Sequence, residues 1–107
     1  MQTKILNFVK TKHFMLRQWQ RGCCDTFLYE ILIKHNSNPC QGKINLIITS
    51  QFLKKLTHRK CHVPDELSKG NWIIPIVGNK LITIYYYNIY KINDFFHNHK
   101  NETIKIL

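Results

Sequence analysis

Apolar and polar positions recur with helical spacing over two neighbouring stretches in the first third of the chain. In the first stretch, Thr11 can cap a helix that runs to Arg21, and Gly22 is well placed to end it. At about 100° per residue, Met15 and Trp19 fall on one side of this helix and are predicted to be buried. The pattern indicates an amphipathic helix with a defined start and stop.

The second stretch predicts a helix from Thr26 to about Lys34, with Asp25 as its candidate N-cap. Its apolar positions follow the i, i+1, i+4, i+5 pattern of a buried helix face. The residues on that face are Phe27, Leu28, Ile31 and Leu32. Residues 35–42 are dense in turn formers and are expected to end the helical region.

Shorter apolar runs predict strands in the rest of the chain. Residues 4–10 and 43–49 are compatible with strands, and Ser50 can cap a short helix. Residues 57–70 hold several charges and few apolar side chains, which favours an exposed loop. The tail, 94–107, fits a short helix followed by a last edge strand.

Two strand-like runs, 71–77 and 80–88, are separated by Gly78 and Asn79, a dipeptide that suits a two-residue hairpin. Pro75 inside the first run indicates an edge position or a bulge, because proline cannot donate a ladder hydrogen bond.

Alternation along the second of these runs divides its side chains between two faces. One set, Ile82, Ile84 and Tyr86, starts with two purely apolar residues and is expected to face the core. The other set contains Tyr85 and Tyr87, which would be exposed or line a cleft.

Together these elements predict an α+β fold in which two N-terminal helices pack on a small, mainly antiparallel sheet closed by the β-hairpin. A chain of 107 residues is large enough for one hydrophobic core but not for two, so we expect a single domain over 1–107. Its hydrophobic content of 44% is typical of a folded chain despite the charge.

The charge is strongly basic, with a formal net charge of +10 and a pI of about 9.7. This balance favours nucleic acid or another polyanion as a partner. Part of it has a second explanation, because the fifteen isoleucines, ten asparagines and thirteen lysines are what an AT-rich coding sequence would supply.

No apolar run resembles a signal peptide or is long enough to span a bilayer, so we expect no membrane association and a cytoplasmic protein, or one exported by a route that the sequence does not show. The four cysteines are then expected to be reduced. Cys23 and Cys24, with His58, Cys61 and His62, are the one arrangement that could suggest zinc. Since the chain has no C-x2-C pair, we predict no metal site and no cofactor.

The best functional clue is a stripe of His13, Arg17 and Arg21, which lie four residues apart and within about 80° on a helix. Only three of the sixteen basic residues are arginines, and two of them are in this stripe. A guanidinium can grip a phosphate in two places, which is a reason to use arginine there. The alternative is a solvated basic helix face. A stripe opposite Met15 and Trp19 would also lie outside any cleft unless another segment covers it.

The motif His-x3-Arg-x3-Arg-Gly, with the run Leu81-Ile-Thr-Ile-Tyr85 downstream, resembles a widespread family of small uncharacterised domains in bacterial toxin, phage and mobile-element loci. That family is similar to the ribonuclease superfold of barnase, colicin D and the RelE-like mRNA interferase toxins. The resemblance covers roughly residues 11–88. Two departures are Cys23, where an isoleucine usually follows the glycine, and the long basic segment 57–70.

The resemblance implies a toxin-like ribonuclease that cleaves RNA without a metal, by attack of the 2′-hydroxyl on the adjacent phosphate. His13 would move a proton, while Arg17 and Arg21 would stabilise the charge on the phosphorane. Tyr85 or Lys80 would supply a further hydrogen bond. RNA is the implied substrate, and an acidic antitoxin or immunity protein would be the natural partner of so basic a surface.

Basic residues outside the stripe are candidates for contacts to the RNA backbone. They are Lys12, Lys54, Lys55, Arg59, Lys60 and Lys80. Two further interpretations remain open: a nucleic-acid-binding protein without catalysis, and a small phage or mobile-element protein that binds and inhibits a host protein.

Overall fold

A mixed sheet lies at the centre of this computed structural model, which describes residues 3–35, 42–58, 71–87 and 91–107. Over those residues the helices are α1 (Lys12–Gln20), α2 (Asp25–Lys34), α3 (Ser50–His58) and α4 (Ile92–Asn98). The strands are β1 (Lys4–Ile5), β2 (Phe8–Lys10), β3 (Lys43–Ile48), β4 (Asn71–Val77), β5 (Lys80–Leu81), β6 (Tyr85–Tyr87) and β7 (Thr103–Ile106).

The strands are ordered β1-β2-β5-β4-β3-β7, and β6 pairs with β4 beyond the end of β5. The pairs β2/β5 and β3/β7 are parallel, and the others are antiparallel. The predicted α+β class is therefore confirmed, and the two N-terminal helices, the short helix from Ser50 and the helix of the tail are all present in the described residues. Two details differ from the prediction: the sheet includes two parallel pairs, and the hairpin lies in its middle instead of closing it.

The sheet buries a separate apolar cluster on each face. On one face α1, α2 and α3 cover the larger cluster, to which β4 contributes Trp72, Ile74 and Ile76. On the other face Phe95 of α4 packs in a smaller cluster with Ile73. Strand alternation along β4 thus assigns each side chain to one helical layer or the other.

Helix α1 begins and ends where its sequence predicts. The Thr11 hydroxyl accepts the Phe14 N–H at 3.0 Å, which satisfies one free donor of the first turn. At the other end Gly22 has φ +66°, and the N–H groups of Gly22 and Cys23 donate to Trp19 O and Gln18 O. This pair of bonds is a Schellman motif, which requires the left-handed conformation that glycine adopts without strain.

The buried face of α1 differs from the prediction. Phe14 and Gln18 are buried, Met15 is half-buried, and Trp19 is 72% exposed, so the predicted burial of Trp19 was wrong. The helix is rotated by about one residue, or 100°, from the expected orientation. The prediction failed because Gln18 is buried at a core-facing position, whereas a pattern of apolar positions assigns a polar residue to solvent.

Gln18 is buried because it joins a polar cluster that links β2, α1 and α2. Lys10 Nζ donates to Asp25 Oδ1 at 2.5 Å, and Gln18 Nε2 donates to the same oxygen at 2.6 Å. The Lys10 side chain is fully buried, whereas that of Asp25 is 36% exposed. Asp25 is the first residue of α2, so its predicted role as the N-cap was wrong. The N-cap is Cys24, which makes no capping hydrogen bond through its side chain.

Gly78 and Asn79 form the expected two-residue hairpin turn, in which Gly78 has φ +61° and Val77 pairs with Lys80. Between β5 and β6 the register with β4 shifts by one residue. Ile76 is paired with Leu81, whereas Ile73 is paired with Tyr85.

The extra residue lies in a bulge over 82–84, where the Ile82 N–H donates to Pro75 O at 3.0 Å. A bulge is present as Pro75 indicated, but it lies on the strand opposite Pro75 and not in β4 itself. The edge position is wrong, because β3 flanks β4 on its other side. The bulge turns both Leu81 and Ile84 towards the larger apolar cluster. It also fixes which tyrosines of β6 face which helical layer.

We expect the Lys10–Asp25 pair to respond asymmetrically to mutation. Asp25→Ala leaves a fully buried ammonium without its partner and should lower the free energy of unfolding by about 2–3 kcal/mol, near the low end for a buried pair because Asp25 is partly solvated. Lys10→Met removes the buried charge and keeps the side-chain length, so it should cost less than about 1.5 kcal/mol.

Urea unfolding measures both changes, with Glu30→Ala on α2 as the control for loss of a carboxylate from the same helix. Equal losses for Asp25→Ala and Lys10→Met would contradict this account of the pair.

Candidate functional site

The stripe of His13, Arg17 and Arg21 lies along the flank of α1 and not opposite its buried face. Relative to Phe14, Arg21 is displaced by only about 20° around the helix and His13 by about 100°. His13 is accordingly exposed, while Arg17 and Arg21 are half-buried. The stripe therefore runs from solvent at its N-terminal end into the contact with the sheet at its C-terminal end.

Arg21 is held against the sheet by an aromatic ring. Its guanidinium carbon lies 5.6 Å from the ring centroid of Trp72, which is 3% exposed. Its Nε is buried and has no hydrogen-bond partner among the described residues. A cation over an indole face is attracted by the ring quadrupole, so Arg21 is restrained without a carboxylate. Arg17 makes a long, exposed hydrogen bond from Nη1 to Gln20 Oε1 at 3.5 Å.

Behind Arg21, the aromatic contact continues from Trp72 to Tyr86. The two rings are 5.6 Å apart at an interplanar angle of 71°, an edge-to-face arrangement. They lie opposite each other in the β4/β6 register, and Tyr86 is 43% exposed. Trp72 and Tyr86, called here the aromatic column, thus connect Arg21 of the stripe to an exposed ring.

The structure does not bring Tyr85 to the stripe. Tyr85 lies opposite Ile73 on β4 and packs in the smaller cluster with Phe95, on the far face of the sheet. Burial raises the pKa of its hydroxyl, and the nearby Tyr87 and Glu102 raise it further. Sequence reasoning missed Tyr86 and Trp72 in its place. The only sequence feature that could have indicated Tyr86 instead of Tyr85 was Pro75, which lies opposite the bulge.

The other predicted backbone-binding residues are spread over the surface. Lys12 is exposed on the side of α1 away from the stripe, and Lys80 is exposed at the hairpin. Lys54 and Lys55 are exposed on α3. Arg59 and Lys60 lie outside the described residues. The described part of the chain therefore supplies scattered lysines around one ordered row of His13, Arg17 and Arg21.

A second polar cluster, which the sequence did not reveal, lies where α4 meets β3 and β7. Glu102 accepts from Asn45 Nδ2 at 2.9 Å, pairs with Lys43 Nζ at 3.0 Å and contacts His99 Nδ1. The hydrogen bond with His99 and the contacts to Lys43 and Asn45 lower the pKa of Glu102 to about 2, against a weaker opposing effect of burial. His99 also stacks on Phe95, with ring centroids 4.2 Å apart. The cluster fixes the end of α4 to the sheet.

A cleft of about 390 Å³ opens on the other flank of α1, at the turn into α2. It is lined by Gln18, Trp19, Gly22, Cys23, Cys24 and Asp25. Because it lies on the Trp19 side of the helix, it is separate from the stripe. Cys23 is a buried free thiol whose pKa is raised, mainly by burial, and Cys24 is an exposed free thiol.

No group of three or more potential metal ligands occurs in the residues that the structure describes. Cys61 and His62, which the sequence joined to Cys23 and Cys24 as a weak zinc pattern, lie outside those residues. Of the helices described, none has the length and apolar content needed to cross a bilayer.

Comparison with known proteins gives no family for this chain. No family model, no curated protein and no solved structure matches it. The resemblance to the ribonuclease superfold therefore stays a prediction, and the function has to be inferred from the arrangement of the chain's own residues.

The Glu102 cluster gives a prediction for acid stability. Because the pKa of Glu102 is lower in the folded chain than in the unfolded one, its stabilising effect is present above about pH 4.3 and is lost as the pH falls towards 2. Glu102→Gln should therefore reduce the drop in Tm between pH 6 and pH 2.

Thermal unfolding followed by circular dichroism measures this difference. Asp94→Asn, which removes an exposed carboxylate from α4, is the control and should leave the acid-induced drop near that of the wild-type chain. A drop in Glu102→Gln as large as in the wild type would contradict the assigned contacts.

Proposed function

We propose that this protein binds RNA through the stripe of His13, Arg17 and Arg21. The observation that carries the proposal is the restraint of Arg21, whose guanidinium is fixed over Trp72 by a contact that leaves its terminal nitrogens outside any ion pair seen in the described residues. A fixed guanidinium loses little conformational freedom when it grips a phosphate in two places.

The surroundings of Arg21 favour a polyanion over other ligands. Helix α1 carries no carboxylate, and the neighbouring Asp25 is already bound by Lys10 and Gln18. Residues four apart on a helix rise by about 6 Å, so the stripe presents a row of basic groups at regular spacing. With a net charge of +10 behind it, this row would attract a nucleic-acid backbone over a long range.

Cleavage of the bound RNA is the second candidate function, and the exposure of His13 on the same stripe favours it. The 2′-oxygen would attack phosphorus while the bond from phosphorus to the 5′-oxygen breaks, which gives a 2′,3′-cyclic phosphate and a 5′-hydroxyl end. His13 would accept the proton of the 2′-hydroxyl, the departing 5′-oxygen would take a proton from water, and Arg17 and Arg21 would stabilise the charge on the phosphorane. This candidate does not use Tyr85, which lies across the sheet.

An acidic antitoxin or immunity protein follows from the cleavage candidate alone. A cytoplasmic ribonuclease needs an inhibitor in the cell that makes it, and a surface of this charge is complementary to an acidic protein.

For binding, we expect Arg17→Ala and Arg21→Ala each to weaken RNA affinity and to reduce the slope of log K against log[salt] by about 0.7, the value for one phosphate contact to a single strand. Fluorescence anisotropy with a labelled RNA over a salt series measures both quantities. Lys100→Ala, which removes an exposed cation after α4, is the matched control. RNA binding that is weak and vanishes at moderate salt, with no difference among these variants, would overturn the proposal and favour a protein partner.

For cleavage, the wild-type chain, His13→Ala and Arg17→Ala are incubated with RNA in excess chelator, and the new ends are tested for a 2′,3′-cyclic phosphate. Catalysis predicts that His13→Ala keeps RNA affinity within a few-fold but loses cleavage. Tight binding without cleavage by the wild-type chain would reject the catalytic candidate and leave the binding function in place.

A further inference from the structure

The exposed ring of Tyr86 has a fixed position close to the stripe. Its strand, β6, is anchored from the opposite face of the sheet, where Tyr85 and Tyr87 pack in the smaller apolar cluster and the rings of Tyr87 and Phe95 are 5.2 Å apart. On its own face, Tyr86 rests edge-to-face against buried Trp72. One aromatic side chain of β6 is thus presented to solvent on a rigid support.

Tyr86 and Arg21 share Trp72 as a neighbour, and this limits the distance between them. Each lies 5.6 Å from the Trp72 ring, so the guanidinium carbon and the Tyr86 centroid are separated by no more than about 11 Å. That distance corresponds to about three nucleotides of a stacked strand at about 3.4 Å each, and to fewer of an extended strand. A phosphate on Arg21 and a base on Tyr86 can therefore belong to one short segment of the same strand.

We propose that the stripe takes its RNA as a single strand, with an unpaired base stacked on Tyr86 and a nearby phosphate on Arg21; this inference rests on the proposed function. The bases of an A-form duplex are paired and stacked on each other, so a protein ring cannot reach their faces. An exposed aromatic platform beside a restrained guanidinium suits a base that is already free. Because every base has a stacking face, the site should show little sequence preference.

The test compares one labelled single-stranded RNA with the same sequence annealed to its complement, by anisotropy at fixed salt. The wild-type chain should prefer the single strand. Tyr86→Ala should weaken single-strand binding about 10-fold or more, the usual effect of removing a stacking ring, and should leave duplex binding unchanged. Tyr86→Phe keeps the ring and should bind within about two-fold of the wild type.

Tyr29→Ala is the matched control, because Tyr29 on α2 is 44% exposed against 43% for Tyr86. It should leave both affinities unchanged. Tyr86→Leu is a second variant that keeps an apolar contact with Trp72 but has no aromatic plane, so it should lose affinity like Tyr86→Ala while folding like the wild type.

Two results would overturn the inference, and they are distinguishable. If Tyr86→Ala and Tyr86→Leu bind the single strand as tightly as the wild type while Arg21→Ala weakens binding, the stacking site is wrong and the RNA-binding function stands. If the wild-type chain itself binds neither RNA form beyond weak, salt-sensitive association, the proposed function fails, and this inference fails with it.

Discussion

The buried ammonium of Lys10 is the constraint on which the orientation of the helical layer depends. A charge that has left water must be paired, and Lys10 has its partner in Asp25, at the start of α2. Gln18 donates to the same carboxylate, which keeps this polar residue of α1 turned inwards. That rotation exposes Trp19 on one flank of the helix and brings Arg21 onto Trp72 on the other. The candidate site is therefore a consequence of an ion pair in which none of its own residues takes part.

The bulge over 82–84 is the second constraint, and it decides which tyrosine accompanies the stripe. Without the extra residue, Leu81 and Tyr85 would share a face, as strict alternation requires. With it, Leu81 and Tyr86 share the face of α1, and Tyr85 turns to α4. Thr11 connects the two constraints, because its hydroxyl both caps α1 and donates to Ile82 O at 2.9 Å. The start of the helix is thus tied to the bulge that positions Tyr86.

Local chemistry was readable from the sequence, whereas orientation was not. Thr11 and Gly22 mark the two ends of α1, because capping depends on neighbouring residues alone. The hairpin turn was predictable because Gly78 can adopt the positive φ that the turn requires. The buried face of α1 was missed because a pattern of apolar positions assigns Gln18 to solvent, and its partner Asp25 becomes apparent only when β2 brings Lys10 to the same place. The contact between Asn45 and Glu102 joins residues 57 positions apart and has no local signal. Of the candidate site, the stripe was predicted, and its aromatic column was not.

The gradient of burial along the stripe separates binding from catalysis. Arg21 is restrained by Trp72, so a phosphate meets a group that is already in position. His13, at the exposed end, has no hydrogen-bond partner in the described part of the chain that would orient its ring. A histidine that transfers protons needs such orientation, which a carboxylate or a carbonyl usually provides. The described contacts therefore support the proposed phosphate binding more than the proposed cleavage, which requires in addition that the bound RNA fix the imidazole.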